Sequence, residues 1–151
     1  MTFLSLNMLT ALNNVKFDWT GFTFLIADDD VYSHLLLEKS FKNTGAHLLH
    51  AYNGLEAIHL VKNHTISLAL IDIVMPMANG YDVANSLFDS QPQTIAMAYT
   101  ADVMRMDQEY CRKIGFHKCL IKPMLPVRLF KEIDDALKIM TPHKNSIIRS
   151  N

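Results

Sequence analysis

The chain lacks any apolar run near the ~20 residues that would span a bilayer, which argues against membrane insertion. It has no surplus of positive charge. Fourteen Lys and Arg against fifteen Asp and Glu leave a formal net charge of −1, so no basic face is offered to nucleic acid. Cysteine is scarce: Cys111 and Cys119 fit no metal-ligand spacing and read as buried free thiols of a reducing compartment, with the cytoplasm as default. The seven histidines fall at no ligand spacing either, and they read as surface or partly buried residues. Internal repeats and low-complexity segments are missing. The opening MTFLSLNMLTALNNV is mildly apolar but lacks the charged start and small-residue cleavage site of a signal peptide. What is present is a chain of 151 residues, 50% hydrophobic and 19% charged, which excludes disorder and suits one domain with a real core.

Strand-like and helix-like segments alternate along it. FTFLIA (22–27) is short, apolar and followed by DDD, so it reads as a central strand ending at polar residues. VYSHLLLEKSFKNTG reads as a helix stopped at Gly45, and AHLLHAY as a second strand. Asn53 with Glu56 three residues later makes a capping-box pattern for a helix running to about Asn63. SLALIDIV is the third strand, followed by a helix over about 79–89 that closes at Gln91-Pro92; QTIAMAYT is the fourth strand. A helix over about 103–114 places Val103, Met106, Tyr110 and Ile114 on one face and ends at Gly115. HKCLI is a short fifth strand. Pro126 then opens a last helix with Phe130, Ile133, Leu137 and Met140 as its buried stripe. Five βα units imply a mostly parallel sheet with helices on both faces. Residues 1–20 are expected to form an N-terminal extension, 21–140 the domain, and 141–151 a polar tail.

In an open parallel sheet, sites form outside the carboxyl ends of the strands. The first strand ends at Asp28-Asp29-Asp30, the third at Asp72, the fourth at Thr100 and the fifth at Lys122. Asp30 is expected to cap the first helix rather than join a site. Asp28, Asp29 and Asp72 contribute −3 and Lys122 returns +1, leaving −2. Two like charges ~4 Å apart repel by about 4 kcal/mol at an effective dielectric of 20. A hard divalent cation would neutralise the excess. Carboxylates without Cys or His suit Mg²⁺ better than Zn²⁺, and a metal so held keeps open positions for water and a phosphoryl oxygen.

These residues resemble the receiver domain of two-component response regulators over about residues 21 to 140. The likeness rests on Asp28 and Asp29 after FLIA, DIVMPMANG with Asp72, Met75, Pro76 and Gly80, Thr100 in AYTAD, Lys122-Pro123 in LIKP, and NGLEAI after the second strand. The resemblance implies a flavodoxin-like (βα)5 three-layer sandwich, a five-stranded parallel sheet in the order 2-1-3-4-5. It implies that Asp72 is the phosphoacceptor, taking a phosphoryl group from a phosphohistidine with Mg²⁺ or Mn²⁺. Asp29 would be the direct metal ligand, Asp28 the second acid acting mainly through water, and Val74 a ligand through its backbone carbonyl. Thr100 would donate to a phosphoryl oxygen, and Lys122 would pair with Asp72 before reaction and with the phosphoryl group after it. The domain is then no enzyme in the usual sense, but a signalling phosphoacceptor that assists its own phosphorylation and dephosphorylation. Its implied partners are a sensor histidine kinase or a histidine phosphotransfer protein. The family also admits a homodimer through the fourth helix, fifth strand and fifth helix. FDWTGFTFLIADDD resembles the linker entry into receivers of hybrid sensor kinases, so both a stand-alone regulator and a section of such a kinase fit.

One position departs from the family. Three residues before the lysine an aromatic side chain is usual, and here Cys119 stands, so a switch through ring rotation is not available there. A neighbour such as Met104 or Met106 is expected to fill the space, or else a shallow pocket remains. Other classes fit less well. A pseudo-receiver, a protein-binding module without the chemistry, would not need the complete site. Related phosphatases need an acid two residues after the nucleophile, where Val74 stands. A flavin site needs amide donors where DDDVYS offers carboxylates.

Overall fold

Four strands of the chain are short apolar runs whose alternate residues face opposite ways, and each is followed by a segment with a capped start. The computed structural model describes residues 15–105, 107–140 and 147–149. The strands are β1 (Val15–Phe17), β2 (Thr23–Ala27), β3 (His47–Ala51), β4 (Leu68–Ile71), β5 (Ile95–Thr100), β6 (Lys118–Ile121) and β7 (Ile147–Arg149), and from β2 onward they alternate with helices. The helices are α1 (Val31–Phe41), α2 (Gly54–Asn63), α3 (Gly80–Ser90), α4 (Gln108–Ile114) and α5 (Pro126–Met140). The main sheet is parallel throughout and runs β3-β2-β4-β5-β6. Counted among its own five strands, that is the expected order 2-1-3-4-5. Among the described residues no helix is long and apolar enough to cross a membrane.

Period-two alternation divides the core into two layers. Leu25, Ala27, Ala69, Ile71, Ala96 and Ala98 face α2, α3 and α4, where they meet Ala57, Val61, Val83, Leu87 and Cys111. Phe24, Ile26, Leu68, Leu70 and Met97 face the other way, onto Leu37, Phe41, Leu129, Ile133 and Leu137 of α1 and α5. Small residues dominate the first layer and large ones the second, so three helices lie close against one face and two helices with an aromatic cluster against the other.

Part of that cluster comes from residues expected to lie in an extension. Phe17 and Trp19 are buried, and Trp19 packs on Phe17, Phe24, Phe41 and Phe130. Its indole N–H donates to Asp134 Oδ1 at 3.3 Å, while Lys138 pairs with the other oxygen at 2.8 Å. Just before it, β1 pairs antiparallel with β7, Val15 opposite Arg149. The sequence carries these two strands at opposite ends, too short and too far apart for periodicity to link them.

Three local expectations are corrected. The helix expected over 103–114 is a 3₁₀ turn at Val103–Arg105 followed by α4, with Asp107 as N-cap accepting from the amides of Glu109 and Tyr110. Val103 and Tyr110 are therefore exposed, and Cys111 is the buried residue of α4; Met106 lies outside the described residues. The stripe of α5 ends at Leu137, and Met140 is exposed, at the rim of a cavity with Leu137 and Ile95. At α2, Asn53 accepts from the Glu56 amide as expected, but the Glu56 carboxylate accepts from the amide of Tyr52 rather than of Asn53.

Candidate functional site

The carboxyl ends of β2, β4, β5 and β6 open on one edge of the sheet, and register holds them level. Ala27 stands beside both Ala51 and Ile71, and Thr100 beside Ile121. One residue further, the Asp28 amide donates to Ala51 O at 3.1 Å and the Asp72 amide to Ala27 O at 2.8 Å. The two acids thus continue the ladder as its last hydrogen-bonded members, which fixes their side chains side by side. Oxygens of Asp28, Asp29 and Asp72 all lie within 4.8 Å of one another. Asp28 is buried, Asp29 exposed, and the Asp72 side chain is 12% exposed.

Lys122 closes the cluster from β6. Its Nζ donates to Asp28 Oδ2 and, at 3.1 Å, to Asp72 Oδ2. The Lys122-Pro123 peptide is cis, and the Lys122 amide donates to Thr100 O at 2.9 Å. Burial works against the ammonium charge, but the hydrogen bond and charge of Asp28, then those of Asp72, outweigh it and hold its pKa above the ordinary lysine value. Beneath the ammonium lies the Tyr99 ring, 5.4 Å from Nζ to centroid.

The remaining oxygens have their own partners. Asp28 Oδ1 accepts from the Asp30 amide at 2.9 Å, and Asp72 Oδ1 from the Val74 amide at 3.2 Å. Thr100 is buried at the end of β5, where its hydroxyl accepts from the Asp102 amide at 3.2 Å. Asp30 stays out of the cluster: it caps α1, accepting from the Tyr32 amide, a bond that holds its carboxyl below the usual range. So Asp28, Asp29, Asp72 and Lys122 meet directly, Thr100 adjoins them through the Lys122 peptide, and Val74 touches Asp72 through its N–H.

Two glycines allow the loops to close around Asp72. A Cβ on Gly80 would stand 2.3 Å from Asp72 O, and one on Gly54 would stand 1.9 Å from Ala78 O. Only residues without a Cβ let the loop after Asp72 fold back and the start of α2 lie against it. Within that loop the Ala78 amide donates to Pro76 O at 2.9 Å, a γ-turn with Met77 at φ 72°.

The sequence missed two neighbours of the site. Tyr99 was one apolar position among many in a strand. His34, read as surface or partly buried, is buried, and its Nε2 lies 2.7 Å from Asp28 O. Its only signal was a polar residue on the α1 face that also carries Leu37 and Phe41.

The space beside Cys119 is not filled by Met104, which is almost fully exposed. A groove of about 570 Å³ remains, lined by Cys119, Ile121, Pro123, Leu125, Arg128 and Glu132 among others. Burial, then contact with the Cys111 thiol, pushes the Cys119 thiol up to about 12.

A family model of the response regulator receiver domain matches residues 24–134. The autoinducer 1 sensor kinase/phosphatase LuxN of Vibrio harveyi is 28% identical over 101 residues, covering 67% of this chain and 12% of that protein. Transcription factor SKN7 of Saccharomyces cerevisiae is 30% identical over 149 residues, covering 93% of this chain and 24% of its own length. The chain therefore spans 12% to 24% of the length of these relatives. Among solved structures, a CheY-like receiver domain protein from Methanospirillum hungatei superposes with a TM-score of 0.76 at 20% identity, covering 82% of this chain and 98% of that one. The receiver domain of sensor histidine kinase PA1611 from Pseudomonas aeruginosa, solved with a magnesium ion coordinated in its active site cleft, gives 0.70 at 19% identity, covering 78% and 98%.

Proposed function

This chain belongs to the response regulator receiver domain family of two-component signalling, and we propose that it accepts a phosphoryl group from a phosphohistidine onto Asp72, assisted by Mg²⁺ or Mn²⁺. The observation that carries the reading is the cluster itself: three carboxylates with oxygens within 4.8 Å, and a lysine bonded to two of them. Its donors are all hard oxygens, and a net −2 remains after Lys122, which fits a divalent cation of the Mg²⁺ type. Asp29, Asp72 and the Val74 carbonyl would hold the ion, with Asp28 acting mainly through water. Bound there, it would offset negative charge and orient a phosphoryl oxygen.

The chain's own groups do the rest. A carboxylate oxygen of Asp72 forms the new O–P bond as the P–N bond to the donor imidazole breaks. The electron pair leaves with the ring nitrogen, which takes up a proton from solvent. Lys122, already 3.1 Å from Asp72 Oδ2, transfers its pairing to the phosphoryl group, and the Thr100 hydroxyl donates to a second phosphoryl oxygen. The proposed donors are a sensor histidine kinase or a histidine phosphotransfer protein, and the likeness to LuxN supports placement within a longer sensor kinase. A homodimer through α4, β6 and α5 is supported by the exposed Ile121 and Leu125.

Mixing the protein with Mg²⁺ and a small phosphodonor, then weighing it intact, tests the reading. Wild type should gain one phosphoryl group and Asp72→Asn none, since an amide does not act as the nucleophile. Stable uptake by Asp72→Asn at the wild-type rate would remove Asp72 from its role. No uptake by wild type would leave a pseudo-receiver that binds partners without the chemistry.

A further inference from the structure

From the Asp28 carbonyl a chain of side chains runs to solvent. His34 of α1 is 2% exposed, and its Nε2 lies 2.7 Å from Asp28 O. Its Nδ1 lies 2.7 Å from Nδ1 of His50 on β3, and His50 Nε2 lies 2.7 Å from Glu38 Oε2. Glu38 follows His34 by one helical turn, so both ends of the chain start from one face of α1. The Tyr52 ring packs on His34 at 4.2 Å between centroids and limits its rotation.

The chemistry of the ends fixes where the protons are. A peptide carbonyl only accepts, so His34 Nε2 carries a proton. An ionised carboxylate only accepts, so His50 Nε2 carries one too. The 2.7 Å contact between the two Nδ1 atoms then joins the rings into one chain.

Among the described residues, the inner end supplies the one donor to the Asp28 carbonyl. Asp28 uses its amide on Ala51, Oδ1 on the Asp30 amide and Oδ2 on Lys122. Its carbonyl lies where β2 leaves the ladder, in a residue only 2% exposed, and a buried carbonyl needs a donor. That carbonyl belongs to the peptide whose N–H is Asp29's. Holding it sets the direction in which the chain turns from Asp28 to Asp29, and therefore the spacing of the two acids.

We propose that His34 is a positioning residue: its ring N–H fixes the Asp28–Asp29 peptide so that both carboxylates face Asp72, and His50 with Glu38 hold the ring in place. The proposal rests on the reading of the acids as a divalent-cation site, and two measurements separate the two claims. In metal-free wild type, proton and nitrogen NMR should show an exchange-protected Nε2–H signal from His34. Its absence would overturn the positioning role, whatever the metal does. Mg²⁺ titration by calorimetry should then show binding weakened roughly tenfold in His34→Leu, the order found when a group supporting a metal ligand is removed. His34→Gln, whose side-chain oxygen and nitrogen span nearly the distance of the two ring nitrogens, should return affinity to near the wild-type value. Wild-type affinity in His34→Leu, or equal weakness in Gln and Leu variants, would overturn the proposal. Should His34→Leu fail to fold, His50→Leu decides in its place: Mg²⁺ affinity severalfold weaker supports the proposal, and unchanged affinity refutes it. If wild type itself bound no Mg²⁺, the cation reading would fall, with His34 no longer a positioning residue for a metal site.

Discussion

Replacing Lys122 by methionine keeps the side-chain stem and deletes the charge. The ammonium bonds Asp28, whose side chain is 3% exposed, and stands 3.1 Å from an oxygen of Asp72 at 12%. At an effective dielectric of 20, opposite charges ~3 Å apart attract by about 5 kcal/mol. Dehydrating the three groups offsets much of this. Breaking a buried pair by removing one partner nevertheless costs about 3–5 kcal/mol, because a charge is left uncompensated. We expect the lower end, about 3 kcal/mol, since Asp29 and Asp72 keep contact with solvent. For a domain of this size, each kcal/mol lowers Tm by about 2–4 °C, so Lys122→Met should melt about 6–12 °C below wild type in EDTA. A cation at a hundred times its Kd returns about 2.7 kcal/mol to whichever form binds it. Without the competing ammonium the acids should bind Mg²⁺ more tightly, so the gap should narrow at a fixed Mg²⁺ concentration. The pH dependence follows from the raised folded-state pKa of Lys122: its contribution is complete below the ordinary value of 10.5 and is lost as pH rises through the higher folded value. The gap should therefore hold between pH 7 and 9 in EDTA. Calorimetric scans of both proteins with and without Mg²⁺ decide the matter. A gap of equal size in both conditions would mean that Lys122 acts through packing, and the electrostatic account would be refuted.

Other perturbations test other links. Gly54→Ala should destabilise by about 1–3 kcal/mol and weaken Mg²⁺ binding, because the new methyl must displace Ala78 O and with it the loop after Asp72; denaturant unfolding and calorimetry read both, and a neutral result would mean the loop is free to shift. Trp19→Ala should cost about 3–5 kcal/mol in urea unfolding, since the indole is fully buried, and an unchanged midpoint would mean that Trp19 adds nothing to the core. A Cys119 thiol pushed up to about 12 has a thiolate fraction at pH 8 of about one in ten thousand. Iodoacetamide should therefore label Cys119 at least roughly a thousandfold more slowly in the native protein than in urea, as peptide mass mapping would show; a native rate like that of a free thiol would contradict its placement.

Much of the sheet was legible because each strand is a short apolar run bounded by chemistry that ends it. Asp72 stands out for the same reason: an ionisable residue at the end of LALI needs a partner, and order along the chain brings it level with Asp28 and Lys122. What stayed hidden depends on contacts between distant segments. The β1–β7 pair joins residues over a hundred positions apart, and nothing within either three-residue strand announces the other. Trp19 looked like part of a tail until the aromatic faces of α1 and α5 gave it neighbours. His34 looked like an ordinary helix residue, since its role depends on a carbonyl that sequence does not display. The 103–114 segment misled in another way. Its apolar spacing fits one helix, but Asp107 offers a better N-cap and breaks the run there.

The small side chain at position 119 limits how the site can reach the surface. In β6 the thiol is packed with Cys111 and Phe116, on the layer facing α4, and has no ring whose rotation could move. The groove next to it is bounded by the loop after Lys122 and by the first turns of α5, not by α4. Connections from the acids to α4 therefore run elsewhere. Thr100 is buried at that edge, and it is tied in two directions: its hydroxyl holds the Asp102 amide, and its carbonyl holds the Lys122 amide. Beyond Asp102 come the 3₁₀ turn at Val103–Arg105 and then the Asp107 cap of α4. A change in what Lys122 and Thr100 bind would thus act on both sides of the β5–β6 edge at once, through peptide hydrogen bonds rather than through a side-chain lever. Val103 and Met104 of that short turn are exposed, and a segment of this kind yields to such a pull at low cost.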